Sequence, residues 1–227
     1  VPAPRARQEA TVFFSRKSEM ITPEAALPGR DSDPFQRSDK HRVLGTPVVT
    51  DEVPEGHEVA IFGLGCFWGA EEIYWQKPGV WSTSVGYAGG FTAHPSYEEV
   101  CSGRTGHTEA VRVVFDPAVV SYADLVKTFF EVHDPTQGMR QGNDVGTQYR
   151  SAIYVTSPEQ EQVARDLTKI YGDELARRGL GDITTEIRPA AEVPYYYAEE
   201  SHQQYLAKNP NGYRCHANTG VRFPADA

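Results

Sequence analysis

Cysteine is scarce in this chain: Cys66, Cys101 and Cys215 are the three present in 227 residues, far apart and odd in number. That excludes the disulfide framework of a small secreted domain and leaves chemistry or core packing as uses for each thiol. Metal-ligand spacing is missing too. There is no C-x-x-C, Cys215 and His216 are adjacent, and the other histidines are scattered, so no metal is expected. The glycine-rich run 86–90 lacks a P-loop lysine and a dinucleotide fingerprint, so no nucleotide cofactor is expected either. No apolar run approaches membrane-spanning length. Residues 1–7 carry proline and arginine without an apolar core, and no signal peptide is expected. Positive charge is in deficit, with 22 Lys and Arg against 31 Asp and Glu, which argues against a nucleic-acid partner. The expectation is a cytoplasmic protein in which sparse cysteines do chemistry or fill core.

What is present suffices for a real core: 39% hydrophobic residues, 11% aromatic, and many turn-forming prolines and glycines. Residues 1–55 show neither helical nor strand periodicity and read as an extended arm. Residues 56–227 read as a single catalytic domain ending in a mobile tail, 207–227. Within it, strands are expected over 59–64, 80–87, 109–115, 149–155 and 183–187. A helix is expected over 67–76, stopped by Pro78-Gly79. A second opens at the Ser121…Asp124 capping box and a third at Ser157-Pro158. The stretches to 108 and over 133–147 read as loops, and a short last helix ends near Tyr205 and Leu206. The order strand–helix–strand, strand–helix–strand fits an α+β, ferredoxin-like βαββαβ two-layer sandwich with one sheet face covered by helices.

Three segments carry candidate chemistry. Gly65-Cys66-Phe67-Trp68-Gly69 lies between a strand and a helix. A cysteine there faces unpaired backbone N–H groups and the positive end of the helix dipole, which favour thiolate. The competing use is a small buried hydrophobe. Phe67 and Trp68 suggest an apolar wall for a soft substrate group; each alone also reads as core. Glu109 stands just inside an apolar strand, expected at an edge, where desolvation keeps a carboxylic acid protonated. Tyr97 and Tyr149 add phenolic donors among twelve tyrosines. Asp144 reads by default as a turn residue. Cys215 sits in the Gly- and Asn-rich tail and suits a resolving thiol if Cys66 is reactive. His202 reads as a surface or structural histidine rather than a catalytic base.

The segment 65–69 resembles the signature of the A-type peptide methionine sulfoxide reductases, and the resemblance runs over nearly the whole chain. It includes Pro95-Ser96-Tyr97, Gly106-His107-Thr108-Glu109-Ala110, the stretch 142–150, Tyr195 to Glu199 and His202 to Leu206. The resemblance implies reduction of methionine-S-sulfoxide, in proteins or as the free amino acid, with no cofactor. It implies Cys66 as nucleophile, Glu109 as acid, and Tyr97 and Tyr149 orienting the sulfoxide oxygen. Asp144 would support the site, and Phe67 and Trp68 would hold the ε-methyl. Cys66 then becomes a sulfenic acid, Cys215 closes a disulfide on it, and thioredoxin or a similar dithiol resets the enzyme, acting on a monomer. In longer members the tail cysteine follows Gly-Tyr directly and another lies nearer the end; here Arg214 intervenes and Arg222 replaces the last cysteine. Cys101 is expected in a core position without a partner. Rival readings are a thiol peroxidase, a Cys–His hydrolase and a non-catalytic module for oxidised peptides.

Overall fold

The computed structural model describes residues 17–225. The leading part of the expected arm, 1–16, and the expectation about its first residues lie outside them. Strand β1 (Glu58–Gly63) leads into helix α1 (Phe67–Trp75) and strand β2 (Val80–Ala88). Helix α2 (Tyr97–Cys101) precedes β3 (Thr108–Phe115) and α3 (Tyr122–Val132). Then come the two-residue strands β4 (Arg140–Gln141) and β5 (Asp144–Val145), β6 (Ala152–Val155), α4 (Pro158–Arg177), β7 (Glu186–Pro189), β8 (Tyr196–Tyr197) and α5 (Tyr205–Lys208).

The result is a mixed α and β architecture around one six-stranded sheet, ordered β7-β6-β1-β3-β2-β8. Neighbours are antiparallel except β6 and β7, which run parallel. Strand alternation sorts the side chains. Ala60, Phe62, Val111, Val113, Phe115, Ile153 and Val155 meet the apolar stripes of α1, α3 and α4 in the main core. Ile61, Ala110, Ala152 and Tyr154 face the other way and are covered by Val193 and its neighbours. Helix starts follow their side-chain chemistry. Ser121 accepts from the Asp124 N–H while Asp124 accepts from the Ser121 N–H, and Ser157 caps α4 with Pro158 in its first turn.

Several expectations are corrected. The stretch before 108 contains α2, opened by its own Ser96–Glu99 capping box. The loop 133–147 contains the β4–β5 hairpin. Residues 147–149 form a 3₁₀ turn, so β6 starts only at Ala152, and β7 lies later than 183–187. The last helix begins at Tyr205 rather than ending there. Glu109 is not on an edge, because β3 lies between β1 and β2.

Both end segments of the described residues are docked. Arg30 pairs with Glu99, Arg37 donates to the Ala198 carbonyl, and His41 is buried against Thr83. The tail, expected to be mobile, buries Val221 and stacks Phe223 on Tyr171, whose hydroxyl donates to the Val221 carbonyl. The apolar contacts that hold it come from α3 and α4, elements far away in sequence.

Candidate active site

The turn from β1 into α1 sets Cys66. Gly65 has φ +91°, and a Cβ there would meet the Gln141 side chain at 2.7 Å, so only glycine makes this bend. Cys66 is the residue that caps α1. The next amide, Phe67 N–H, donates to Glu109 Oε2 at 3.0 Å and ties the helix start to the middle of the sheet. Burial pushes the Cys66 thiol far up, with the Glu109 carboxylate adding to the effect; the Trp68 backbone N–H pulls the other way. The expected preference for thiolate is thereby corrected. The helix N-terminus acts in the anticipated direction, but desolvation outweighs it.

Glu109 is 2% exposed. Burial raises its carboxyl to about 8, against the hydrogen bonds from Phe67 N–H and the Gln148 side chain. The group is therefore protonated at neutral pH. Tyr97 and Tyr149 stand close enough for the Glu109 charge to raise both phenols, after burial as the larger cause. Neither phenol ionises at working pH, so both remain hydrogen-bond donors. Asp144 lies on the β4–β5 hairpin, half-buried, and accepts from the Tyr213 hydroxyl at 3.1 Å. Burial raises its carboxyl and the Tyr213 bond lowers it. Cys101 has partners after all, which corrects the reading of an isolated position. Gln148 Nε2 donates to its Sγ at 3.4 Å, and Tyr97 bonds it too.

Aromatic rings gather around the two residues that follow Cys66. Trp68 stacks on Tyr205 with centroids 3.9 Å apart. Its indole N–H donates to His202 Nδ1 at 3.1 Å, and the His202 ring lies 4.2 Å from Tyr97 and 5.6 Å from the buried Phe67. His202 is thus the centre of a ring cluster rather than a surface residue. Burial lowers its pKa, and its Nδ1 is already occupied as an acceptor, so it stays neutral. Glu199 supports the cluster from behind, accepting from the Tyr97 N–H and the Tyr87 hydroxyl. Tyr205, Gln148, Glu199 and Tyr213 were not singled out from the sequence. Their only signal was membership in the stretches around Tyr149, Tyr195 and His202, and in the tail segment 211–216. With Trp68 as the apolar wall expected from the sequence, Trp68→Ala should raise KM for the substrate by about tenfold with a smaller fall in kcat. Steady-state kinetics beside a melting curve decide: a fixed KM with a lowered Tm would make Trp68 a core residue only.

A cavity of about 20 Å³ is lined by Gly69, Ala70, Gln141 and Ala217 among others. It holds about one water and is too small for a substrate side chain. Cys66 and Cys215 both line this cavity. Gly142, at φ +58°, makes room for the tail: a Cβ there would meet Ala217 at 2.9 Å and the Cys215 sulfur at 3.2 Å. All three cysteines are free thiols. A wider open cleft of about 820 Å³, lined by His57, Glu58, Arg112 and Tyr122, lies at the opposite end of β1 from these groups.

Residues 58–224 match the family described as peptide methionine sulfoxide reductase. The chain is 58% identical over 216 residues to the peptide methionine sulfoxide reductase MsrA of Salinispora arenicola, covering 94% of this chain and 96% of that one. It is 56% identical over 212 residues to MsrA 1 of Synechocystis, covering 93% and 94%. Among solved structures, methionine sulfoxide reductase A of Corynebacterium diphtheriae superposes with a TM-score of 0.81 at 49% identity, covering 91% of this chain and 99% of that one. Reduced Mxr1 of Saccharomyces cerevisiae superposes with a TM-score of 0.63 at 36% identity, covering 71% and 91%.

Proposed function

Because this chain belongs to the peptide methionine sulfoxide reductase family, we propose a cycle in which Cys66 is the nucleophile, Glu109 the general acid and Cys215 the resolving thiol. The protein is a peptide-methionine (S)-S-oxide reductase, turning methionine sulfoxide into methionine. The observation that carries the assignment of roles is the buried Glu109, its carboxyl raised by that burial, bonded to the first turn of the helix that Cys66 caps.

Sulfoxide oxygen is a poor leaving group until protonated. Glu109 donates that proton as the Cys66 sulfur attacks, with Tyr97 and Tyr149 orienting the oxygen and Phe67 and Trp68 holding the methyl group. The Cys66 proton returns to Glu109. The oxygen passes to Cys66 as a sulfenic acid and methionine leaves, so no atom is lost or gained. The Cys215 sulfur then bonds to the Cys66 sulfur and water departs. A dithiol such as thioredoxin reduces the disulfide, becoming a disulfide itself. Asp144 supports the site through Tyr213. We read the enzyme as a monomer. An enzyme returned to its dithiol form each cycle suits a reducing compartment, and we place it in the cytoplasm. Of the arm read over residues 1–55, the described part, 17–55, serves as an arm on the catalytic domain that starts at residue 56. The order β6-β1-β3-β2 of that domain's four inner strands supports reading it as a ferredoxin-like βαββαβ sandwich.

Incubating the protein with an S-sulfoxide peptide and dithiothreitol tests the function by mass: reduction removes about 16 Da, one oxygen. An unchanged peptide bound tightly would indicate a non-catalytic module, and rapid peroxide consumption instead a thiol peroxidase. Cys215→Ser should reduce one equivalent of sulfoxide and then halt with thioredoxin as sole reductant, while dithiothreitol, which attacks the sulfenic acid directly, restores turnover. Sustained thioredoxin-driven turnover by that variant, or a Cys66–Cys101 bond in peptide maps, would remove Cys215 from the cycle.

A further inference from the structure

Arg214, the residue between Tyr213 and Cys215, has no role in the cycle just described. Its guanidinium meets Glu72 of α1 in a fork: Nε donates to Oε2 at 2.6 Å and Nη2 to Oε1 at 2.7 Å. Nη1 also donates to the carbonyl oxygens of Pro210 at 2.8 Å and Gly212 at 3.3 Å. One side chain therefore closes the tail's own turn and fastens that turn to the helix capped by Cys66. The two partners are 29% and 21% exposed, so water screens the pair only in part. Two-point Arg–carboxylate geometry fixes direction as well as distance.

The neighbours of Arg214 are directed elsewhere. The Tyr213 hydroxyl donates to Asp144 of β5, and the Cys215 thiol points to the Gln141 carbonyl of β4 at 3.7 Å. Arg214 pins the backbone to α1 while the residues on either side face the β4–β5 hairpin. Cys215 is thereby set into the small cavity it shares with Cys66. Attack on a sulfenic sulfur proceeds from the side away from the departing oxygen. Glu109 is tied to the start of α1 through the Phe67 N–H, and Cys215 lines the cavity beside Cys66.

We propose that the Arg214–Glu72 pair is a positioning device for the resolving step. It holds Cys215 where its sulfur bonds to the Cys66 sulfur as the sulfenic oxygen leaves as water. It takes no part in reducing the sulfoxide. The proposal rests on the reading of Cys215 as the resolving thiol. It also explains how a chain with an arginine inserted between Gly212-Tyr213 and its cysteine keeps that cysteine in place: the arginine is itself the anchor.

The test separates the two half-reactions in the full-length protein. Glu72→Gln, Arg214→Gln and the charge-exchanged double variant Glu72→Arg/Arg214→Glu are each given one equivalent of S-sulfoxide peptide. Methionine formation reports the first step; a 1,3-diketone trap for sulfenic acid and loss of free thiols report the second. In both single variants methionine formation should stay within about twofold of wild type, while disulfide formation slows by about tenfold or more and trapped sulfenic acid accumulates. The double variant should recover most of the disulfide rate. Cys215→Ser runs alongside. If that variant blocks sulfenic acid decay while both single variants resolve at the wild-type rate, the anchor is wrong and Cys215 keeps its role. If both half-reactions fall together in the single variants, the pair is merely structural. If Cys215→Ser leaves sulfenic acid decay unchanged, the resolving role of Cys215 fails and the anchor falls with it.

Discussion

Cys66→Ser abolishes turnover with every reductant, dithiothreitol included. A serine hydroxyl is a weak nucleophile toward sulfoxide sulfur, and oxygen transfer to it would give no sulfenic acid for any thiol to attack. The raised thiol of the resting site does not weaken this expectation. Burial is the larger cause of that rise and remains; a further part comes from negative charge on Glu109, and Glu109 is itself held neutral at working pH. Once it is neutral, the Trp68 N–H and the end of α1 act on Cys66 without that opposition. The sulfur then loses its proton in the course of the attack rather than before it. Methionine release, measured over hours with peptide, decides. Activity within tenfold of wild type would take Cys66 out of the mechanism, whereas a wild-type melting curve beside zero activity excludes misfolding.

Legibility in the sequence followed the range of the interactions. The β1–α1 junction was readable because an apolar strand, a glycine and a stopped helix are all local features. So were α3 and α4, whose starts are written in Ser121, Ser157 and Pro158. The β4–β5 hairpin was not, since strands of two residues carry no periodicity. The five-residue α2 escaped for a similar reason, although its capping box, Ser96 and Glu99, was available. Tail docking depends on Phe223 meeting Tyr171 across 52 positions (223 − 171), which no local pattern reports.

The candidate site divides along the same line. Burial of Glu109 was readable, because a glutamate inside an apolar strand has few other environments, though its place in the sheet was misjudged. The Cys66 thiol was read in the wrong direction: the helix end is local, while its burial and the charges near it, Glu109 and Cys215, depend on residues distant in sequence. His202 looked peripheral because its three ring partners, Phe67, Trp68 and Tyr97, are more than a hundred residues earlier. Arg214 was visible only as a departure from the family pattern; its partner Glu72 gave no sign in the sequence.

Glu109→Gln slows single-turnover sulfoxide reduction by about 10²–10⁴-fold while leaving peptide affinity nearly unchanged. The amide keeps the shape and still accepts from Phe67 N–H, but it has no proton acidic enough to give to the departing oxygen. The same substitution tests the protonation state independently of activity. The Glu109 carboxyl is raised from its ordinary 4.5 to about 8 by burial. Its stabilising contribution is therefore complete below 4.5 and is lost as pH climbs through about 8, where the folded protein must hold a desolvated carboxylate. A neutral amide carries no such cost. The Tm advantage of Glu109→Gln over wild type should grow between pH 5 and pH 9, toward a difference on the order of 5 kcal/mol at the alkaline end, at about 1.4 kcal/mol for each tenfold change in proton binding. Paired melting curves across that range check it. A flat difference would mean that Glu109 ionises like an ordinary carboxylate and is already charged at neutral pH. The proton for the sulfoxide would then have to come from Tyr97 or Tyr149, and single-turnover rates of Tyr97→Phe and Tyr149→Phe would fall at least as far as that of Glu109→Gln.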